Sequence, residues 1–189
     1  MQTFISLIIG MSFFFTNPTH VTTKTVDVNE SIVTWTGHKV TKAHEGTIKI
    51  KEGKLEFDHD VLKGGSFTMD MTSITCTDLN PGGAAKLVGH LSSDDFFGVA
   101  AHPTADFVIT KVVSSDTAGE YNITGDLTIK GKTNSVTFDA NVGDNGAKAD
   151  IKVDRTIYDI KYGSGSFFDN LGDKAISDEF DLVINLVTK

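Results

Sequence analysis

The feature that most constrains this chain is a two-residue alternation of apolar and polar side chains, which begins near Lys24 and recurs to the C-terminal end. Val33 and Trp35 alternate with Thr34 and Thr36, Ile48 and Ile50 with Thr47 and Lys49, and Phe67, Met69 and Met71 with Thr68, Asp70 and Thr72. Further rows are Leu55 and Phe57; Ala105, Phe107 and Ile109; Tyr121 and Ile123; and Leu127 and Ile129. Val136, Phe138, Ala140 and Val142 follow, then Ile151, Val153 and Ile157, and last Phe180, Leu182, Ile184 and Leu186. Successive side chains of a strand point to opposite faces, so each row marks a half-buried strand. Turn signals fall between rows at Lys51-Glu52-Gly53-Lys54, Lys63-Gly64-Gly65, Lys130-Gly131-Lys132 and Gly143-Asp144-Asn145-Gly146. About eight consecutive strands with short connections predict an all-β antiparallel meander, closed into a barrel because closure removes its edges.

One interior stretch breaks the alternation. Between Pro81 and Pro103, the residues Ala84, Leu87, Val88 and Leu91 take a helical spacing, and a second turn is expected from Ser93 through Asp94 and Asp95. The chain is therefore expected to carry one short helical crossover that covers or flanks a barrel end, with His90 and Asp94 as the polar groups nearest its mouth. A Gly- and Ser-rich segment, Gly163 to Gly172, links the last two strands. At the other end of the chain, Phe4 to Phe15 is an apolar run with no charged side chain before Lys24. That length suits a secretory targeting segment better than a spanning helix. Residues 1–20 are read as that segment and 21–189 as a single domain, which makes the expected location periplasmic or secreted.

Composition removes several functions. Net charge is -8, with Arg155 the sole arginine, so the clustered cations that neutralise a nucleic-acid backbone are missing. One cysteine, Cys76, excludes an internal disulfide and a Cys-rich metal cage. Gly125 to Thr133 is one residue too long for a phosphate loop and lies in alternating strand; Asp58-His59-Asp60 reads as a turn before it reads as a metal site. No acid, base and nucleophile converge in the pattern, so no enzyme, cofactor or metal is expected. A membrane barrel would need aromatic girdles, whereas this chain has one Trp and three Tyr, and Thr, Lys and Asp oppose its apolar rows. No membrane span is expected in the mature chain.

Several motifs stand in a fixed order along the chain: Val33-Thr34-Trp35-Thr36-Gly37 with His44-x-Gly46, His90-Leu91-Ser92-Ser93-Asp94-Asp95-Phe96-Phe97, Pro103-x-x-x-Phe107, and Gly125-x-Leu127-Thr128-Ile129-Lys130-Gly131. Asp154-Arg155 and Ile176-Ser177-Asp178 follow. Together they resemble the YceI-like family, lipocalin-like barrels described as polyisoprenoid-binding. The resemblance implies an eight-stranded antiparallel barrel around a long apolar tunnel, with no established catalysis. In one departure, Leu87 and Val88 stand where many members carry an Arg-Asp pair.

The expected function is a binding protein that sequesters or carries a long isoprenoid-type lipid or similar amphiphile. The alternative is a stress-related barrel with a filled core that acts through its surface. A homodimer is left open. The residues expected to line the ligand site are Trp35, Ile48, Phe57, Phe67, Met69, Phe107, Ile109, Leu127, Phe138, Ile151, Val153, Phe180, Leu182 and Ile184, with His90 and Asp94 at the head. Counting by twos also turns Arg155 inward. A guanidinium keeps its charge when buried, so Arg155 is expected to pair with Asp178 across neighbouring strands, fixing register at one barrel end.

Overall fold

The computed structural model describes residues 20–189, so nearly all of the targeting segment read from residues 1–20 lies outside the described residues. The alternating rows form nine strands: β1 (Val21–Thr25), β2 (Ile32–Lys39), β3 (Ala43–Asp58), β4 (Val61–Asp70), β5 (Thr104–Ser114), β6 (Glu120–Ile129), β7 (Lys132–Gly143), β8 (Gly146–Asp154) and β9 (Ile176–Val187). Every neighbouring pair is antiparallel, and β2–β9 and β3–β4 pairing closes eight of them into a barrel. The ninth, β1, pairs with Lys54–Asp58 on the edge of β3 whose other half, Ala43–Ile48, pairs with β2. It extends the wall at one end and adds no further stave.

Two expected turns are strand interior. The chain runs through Lys51–Lys54 inside β3 with a register shift after Ile50, and Lys63–Gly65 lies within β4 opposite a second shift after Glu56. The glycines serve close approach. A Cβ on Gly53 would stand 2.7 Å from the Phe67 ring, and one on Gly125 would stand 2.3 Å from the Phe107 ring. Each ring therefore occupies the space that a side chain on the neighbouring strand's glycine would take. The expected turn Gly143–Gly146 is a hairpin between β7 and β8, and two further two-residue hairpins are Asp58–Val61 and Ile129–Lys132. The latter two each have two central residues at positive φ (His59 and Asp60 at 50° and 65°, Lys130 and Gly131 at 51° and 72°), the geometry whose twist matches the flanking strands.

The crossover is α1 (Pro81–Ser92), with proline in its first turn and the Asn80 side chain accepting from the Gly83 N–H at 2.9 Å. It ends at Ser92; Asp94 and Asp95 fall in an exposed turn that does not extend it. Thr75 and Thr77 carry the chain to it by donating backbone N–H bonds to the Thr47 and Glu45 carbonyls of β3. The β8 alternation also stops sooner than expected. A single 3₁₀ turn, Thr156–Tyr158, exposes Ile157 (45 %) and buries Tyr158 completely. Among the described residues no helix is long and apolar enough to cross a membrane, a statement that does not bear on strands.

Candidate ligand-binding cavity

Strand parity places Phe67 and Met69 of β4, Phe107 and Ile109 of β5, Leu127 of β6, Phe138 of β7, Ile151 of β8, and Phe180, Leu182 and Ile184 of β9 on one surface: the lumen. With Ile48 they line a cavity of about 130 Å³. The two charged residues at its wall, Asp106 and Lys148, sit on the outward parity of their strands. Phe67 and Phe107 stack at 6.4 Å between centroids, and Phe107 and Phe138 meet at 5.6 Å. Most of these inward side chains are only half-buried although they face the interior. Their remaining exposed surface is apolar wall around unfilled space.

A second chamber, of about 200 Å³, lies between α1 and the barrel rim, lined by Trp35, Leu87, His90, Leu91, Tyr162 and Arg155 among others. Ile48, Phe97 and Phe180 line both spaces, and the Phe97 and Phe180 rings meet edge to face at 6.4 Å. That aromatic pair divides one tunnel into a lumen and a mouth. The rim is polar. His38 Nε2 lies 2.6 Å from Asp181 Oδ2, and the other carboxylate oxygen, Oδ1, lies 3.4 Å from Lys152 Nζ. His44 Nδ1 lies 2.8 Å from Asp78 Oδ2, and this bond is the main reason the Asp78 carboxyl falls to about 2.

Inside the mouth, His90 packs its ring against Tyr162 (4.4 Å) and Phe96 (5.6 Å), and its Nε2 is buried without a hydrogen-bond partner. A buried polar atom left unpaired costs about 1–3 kcal/mol. Among the described residues with an orphaned buried polar atom, His90 is the one that lines this chamber. Leu87 adds apolar surface to the same chamber.

Arg155 is 2 % exposed at the end of β8, and burial pushes its pKa below the ordinary value while the Asp178 and Asp154 charges push it back. Its Nε donates to the Ser177 carbonyl at 2.8 Å, Nη1 to Ile160 at 2.7 Å and Nη2 to Ile176 at 3.1 Å. Asp178 Oδ1 stands 3.6 Å from Nη2, too long for a hydrogen bond. Ser166 Oγ donates to the other carboxylate oxygen at 2.5 Å. The guanidinium thus ties the turn at Ile160 to the start of β9 through three carbonyls, with the Asp178 carboxylate as its ion-pair partner at 3.6 Å. Phe96 covers it at 5.6 Å, a cation–π contact.

The lumen gathers Ile48, Phe67, Met69, Phe107, Ile109, Leu127, Phe138, Ile151, Phe180, Leu182 and Ile184. His90 lines the mouth, where it was expected, and four other expected members lie outside the lumen. Trp35 lines the mouth, donating Nε1–H to the Thr75 carbonyl at 3.1 Å. Phe57 is packed in the core of the far end, where β1 lies on β3, and Val153 is packed in the core beside Arg155. Asp94 is exposed and touches neither space; its backbone carbonyl accepts from Lys130 Nζ at 2.6 Å. Parity separates inside from outside but carries no depth along the barrel axis, which is why Phe57 and Val153 face inward yet miss the cavity. Phe97, Tyr162 and Ile74 sit in connections, where no period marks a face, and were not expected in either space. Met71, the last of its alternating row, and the strand residues Ile50, Ile123 and Ile129 share the inward parity and also line the lumen, beyond the lining expected from the sequence.

A family model described as a YceI-like domain matches residues 24–188. Protein YceI of Escherichia coli O157:H7 is 31% identical over 153 residues, covering 75% of this chain and 71% of that protein. A UPF0312 protein of Shewanella denitrificans is 36% identical over 89 residues, which span 47% of this chain and only 44% of that protein. Among solved structures, Burkholderia cenocepacia BcnA superposes with a TM-score of 0.71 at 24% identity, covering 87% of this chain and 99% of that one. A polyisoprenoid binding domain from Saccharophagus degradans gives 0.59 at 12% identity, covering 88% and 97%, a likeness of fold. With the family model spanning every strand of the barrel from late in β1 to the end of β9, this chain belongs to the YceI-like family.

Proposed function

We propose that the protein binds a long apolar molecule of the isoprenoid type inside its barrel, sequestering or carrying it without chemical change, in the periplasm or outside the cell. One observation carries this reading: a lumen walled by inward-facing apolar side chains, most of them only half-buried. Covering that wall gains roughly 0.8 kcal/mol per buried methylene, offset by the cost of ordering the chain. No charge in the wall asks for a partner, so a hydrocarbon of repeating units fits it at any register. At the mouth, a small rotation of the His90 ring would bring its unpaired Nε2 to an oxygen of the head group. The solved relative from Saccharophagus degradans, described as polyisoprenoid-binding, supports the same ligand class.

The test is a titration with retinol, a fluorescent isoprenoid alcohol, read by energy transfer from Trp35, the single tryptophan. The expected result is saturable one-to-one binding that falls about tenfold or more in Leu182→Asp, because a carboxylate in the lumen must be desolvated by the chain. Absence of saturable binding to retinol and to a longer linear polyprenol would contradict the proposal.

A further inference from the structure

The barrel wall is not uniformly paired. β7 and β6 pair along their length, from Ile129↔Lys132 to Glu120↔Asn141, and β8 and β9 pair from Gly146↔Val187 to Asp154↔Glu179. Between β7 and β8, pairing holds only from Gly143↔Gly146 to Ala140↔Ala149 and then stops. Continuing that register would set Asp139 directly opposite Asp150, and like charges facing each other across a ladder repel. Both are exposed, and Asp139 instead accepts a bond from Asn122 Nδ2 of β6 at 2.8 Å. Toward the mouth, Asn134 Nδ2 of β7 donates to the Ile157 carbonyl of the 3₁₀ turn at 3.2 Å, so the seam is spanned there by a turn rather than a strand.

A surface groove of about 700 Å³ runs along this seam. Its lining includes Phe138, Ala140, Ala149 and Ile184, which also line the lumen. The groove and the cavity thus share one thin wall, at the place where the strands part. An unpaired strand edge normally invites association, and charged side chains are the usual protection. Asp139, Asp150, Lys148 and Lys152 occupy that position here.

We propose that the β7–β8 seam is a lateral portal through which the hydrocarbon chain enters and leaves the lumen sideways, with no need to thread past Phe97 and Phe180 at the mouth. The chemistry suits a slender, linear, apolar chain: the portal's inner wall is apolar, and its outer rim holds charges of both signs that do not select a head group. This inference rests on the lipid-binding reading above and specifies its route.

The test closes the seam. Thr137→Cys and Lys152→Cys fall opposite each other in the continued register, both on the outward face, and Cys76→Ser removes the native thiol. Their disulfide requires the strands to come within pairing distance. Retinol and a long linear polyprenol are exchanged from phosphatidylcholine vesicles with the protein oxidised or reduced. Oxidation is expected to slow uptake and release about tenfold or more while equilibrium affinity moves less than about threefold. Equal rates in a protein that binds both probes overturn the portal alone; a reduced protein that binds neither overturns the lipid reading and the portal with it. A measurement on the unmodified chain stands beside it. The amides of residues 133–139 and 150–154 that face the seam are expected to exchange with solvent faster than those of the same strands facing β6 and β9. Equally slow exchange on both sides would show a zipped seam and overturn the proposal.

Discussion

At the far end of the barrel, Phe57, Leu62, Val26 and Tyr121 are all buried and pack side chain against side chain, with β1 laid along β3 behind them. At the mouth end, the corresponding position is held by Arg155, whose three donors reach the carbonyls of Ile160, Ile176 and Ser177, and by α1 lying over a chamber. One end is a plug of hydrocarbon; the other is a polar clasp that leaves room beneath it. A plug needs no chain geometry beyond parity and tolerates nothing passing through. A clasp fixes irregular backbone around an opening, and the lumen lies between the two.

The largest expected effect breaks the clasp. Arg155→Ala removes a buried charge and strands three carbonyls together with Asp178, so a loss of about 3–5 kcal/mol is expected in urea melts, with or without lipid. Arg155→Lys should recover only part, because an ammonium cannot reproduce the fork. A lipid-dependent effect would instead make Arg155 a ligand contact.

Next comes the contrast between plug and wall. Phe57→Ala opens a void in packed core and should cost about 3–5 kcal/mol whether or not ligand is present. Phe138→Ala removes a ring that already borders open space, so about 1–2 kcal/mol is expected without ligand, accompanied by weaker retinol binding. Equal losses for the two would erase the distinction between a packed end and an open lumen.

A smaller effect sharpens the mouth. His90→Phe removes the orphaned Nε2 and is expected to stabilise the ligand-free protein by about 1 kcal/mol while weakening retinol relative to the corresponding hydrocarbon. The smallest effect is on pH. Asp78 is held at about 2 in the folded protein, below its ordinary 3.8, chiefly by the hydrogen bond to His44. Its contribution is therefore full above about pH 4 and disappears as pH falls through about 2. Amide exchange of residues 75–80 should rise in that window before exchange at the far-end plug does.

Much of the fold was legible because alternation is a direct record of which side of a wall a residue faces. Phe67, Phe107, Phe138 and Leu182 reach the lumen for that reason. What sequence pattern could not carry falls into three physical kinds. Depth along the axis separates Trp35 and Phe57 from the lumen residues of the same parity. Backbone acceptors satisfy Arg155, and a carbonyl has no letter in the sequence, so Asp178 was the sole visible partner. Register sets Asp139 against Asp150, and that conflict exists only once β7 and β8 are aligned from their turn. Gly53 and Gly65 misled in an informative way: read as turns, they are places where a neighbouring ring or carbonyl presses against the backbone inside a strand.

The central claim is that the lumen is built to hold an apolar chain. Its most direct test is organic-solvent extraction of protein purified from its native compartment without added detergent, followed by mass spectrometry. The account predicts a molecule with the mass ladder of repeated isoprene units, near one per protein, and its loss from Leu182→Asp purified in the same way. Native protein that yields no apolar molecule, and that takes up none when one is offered, would contradict it.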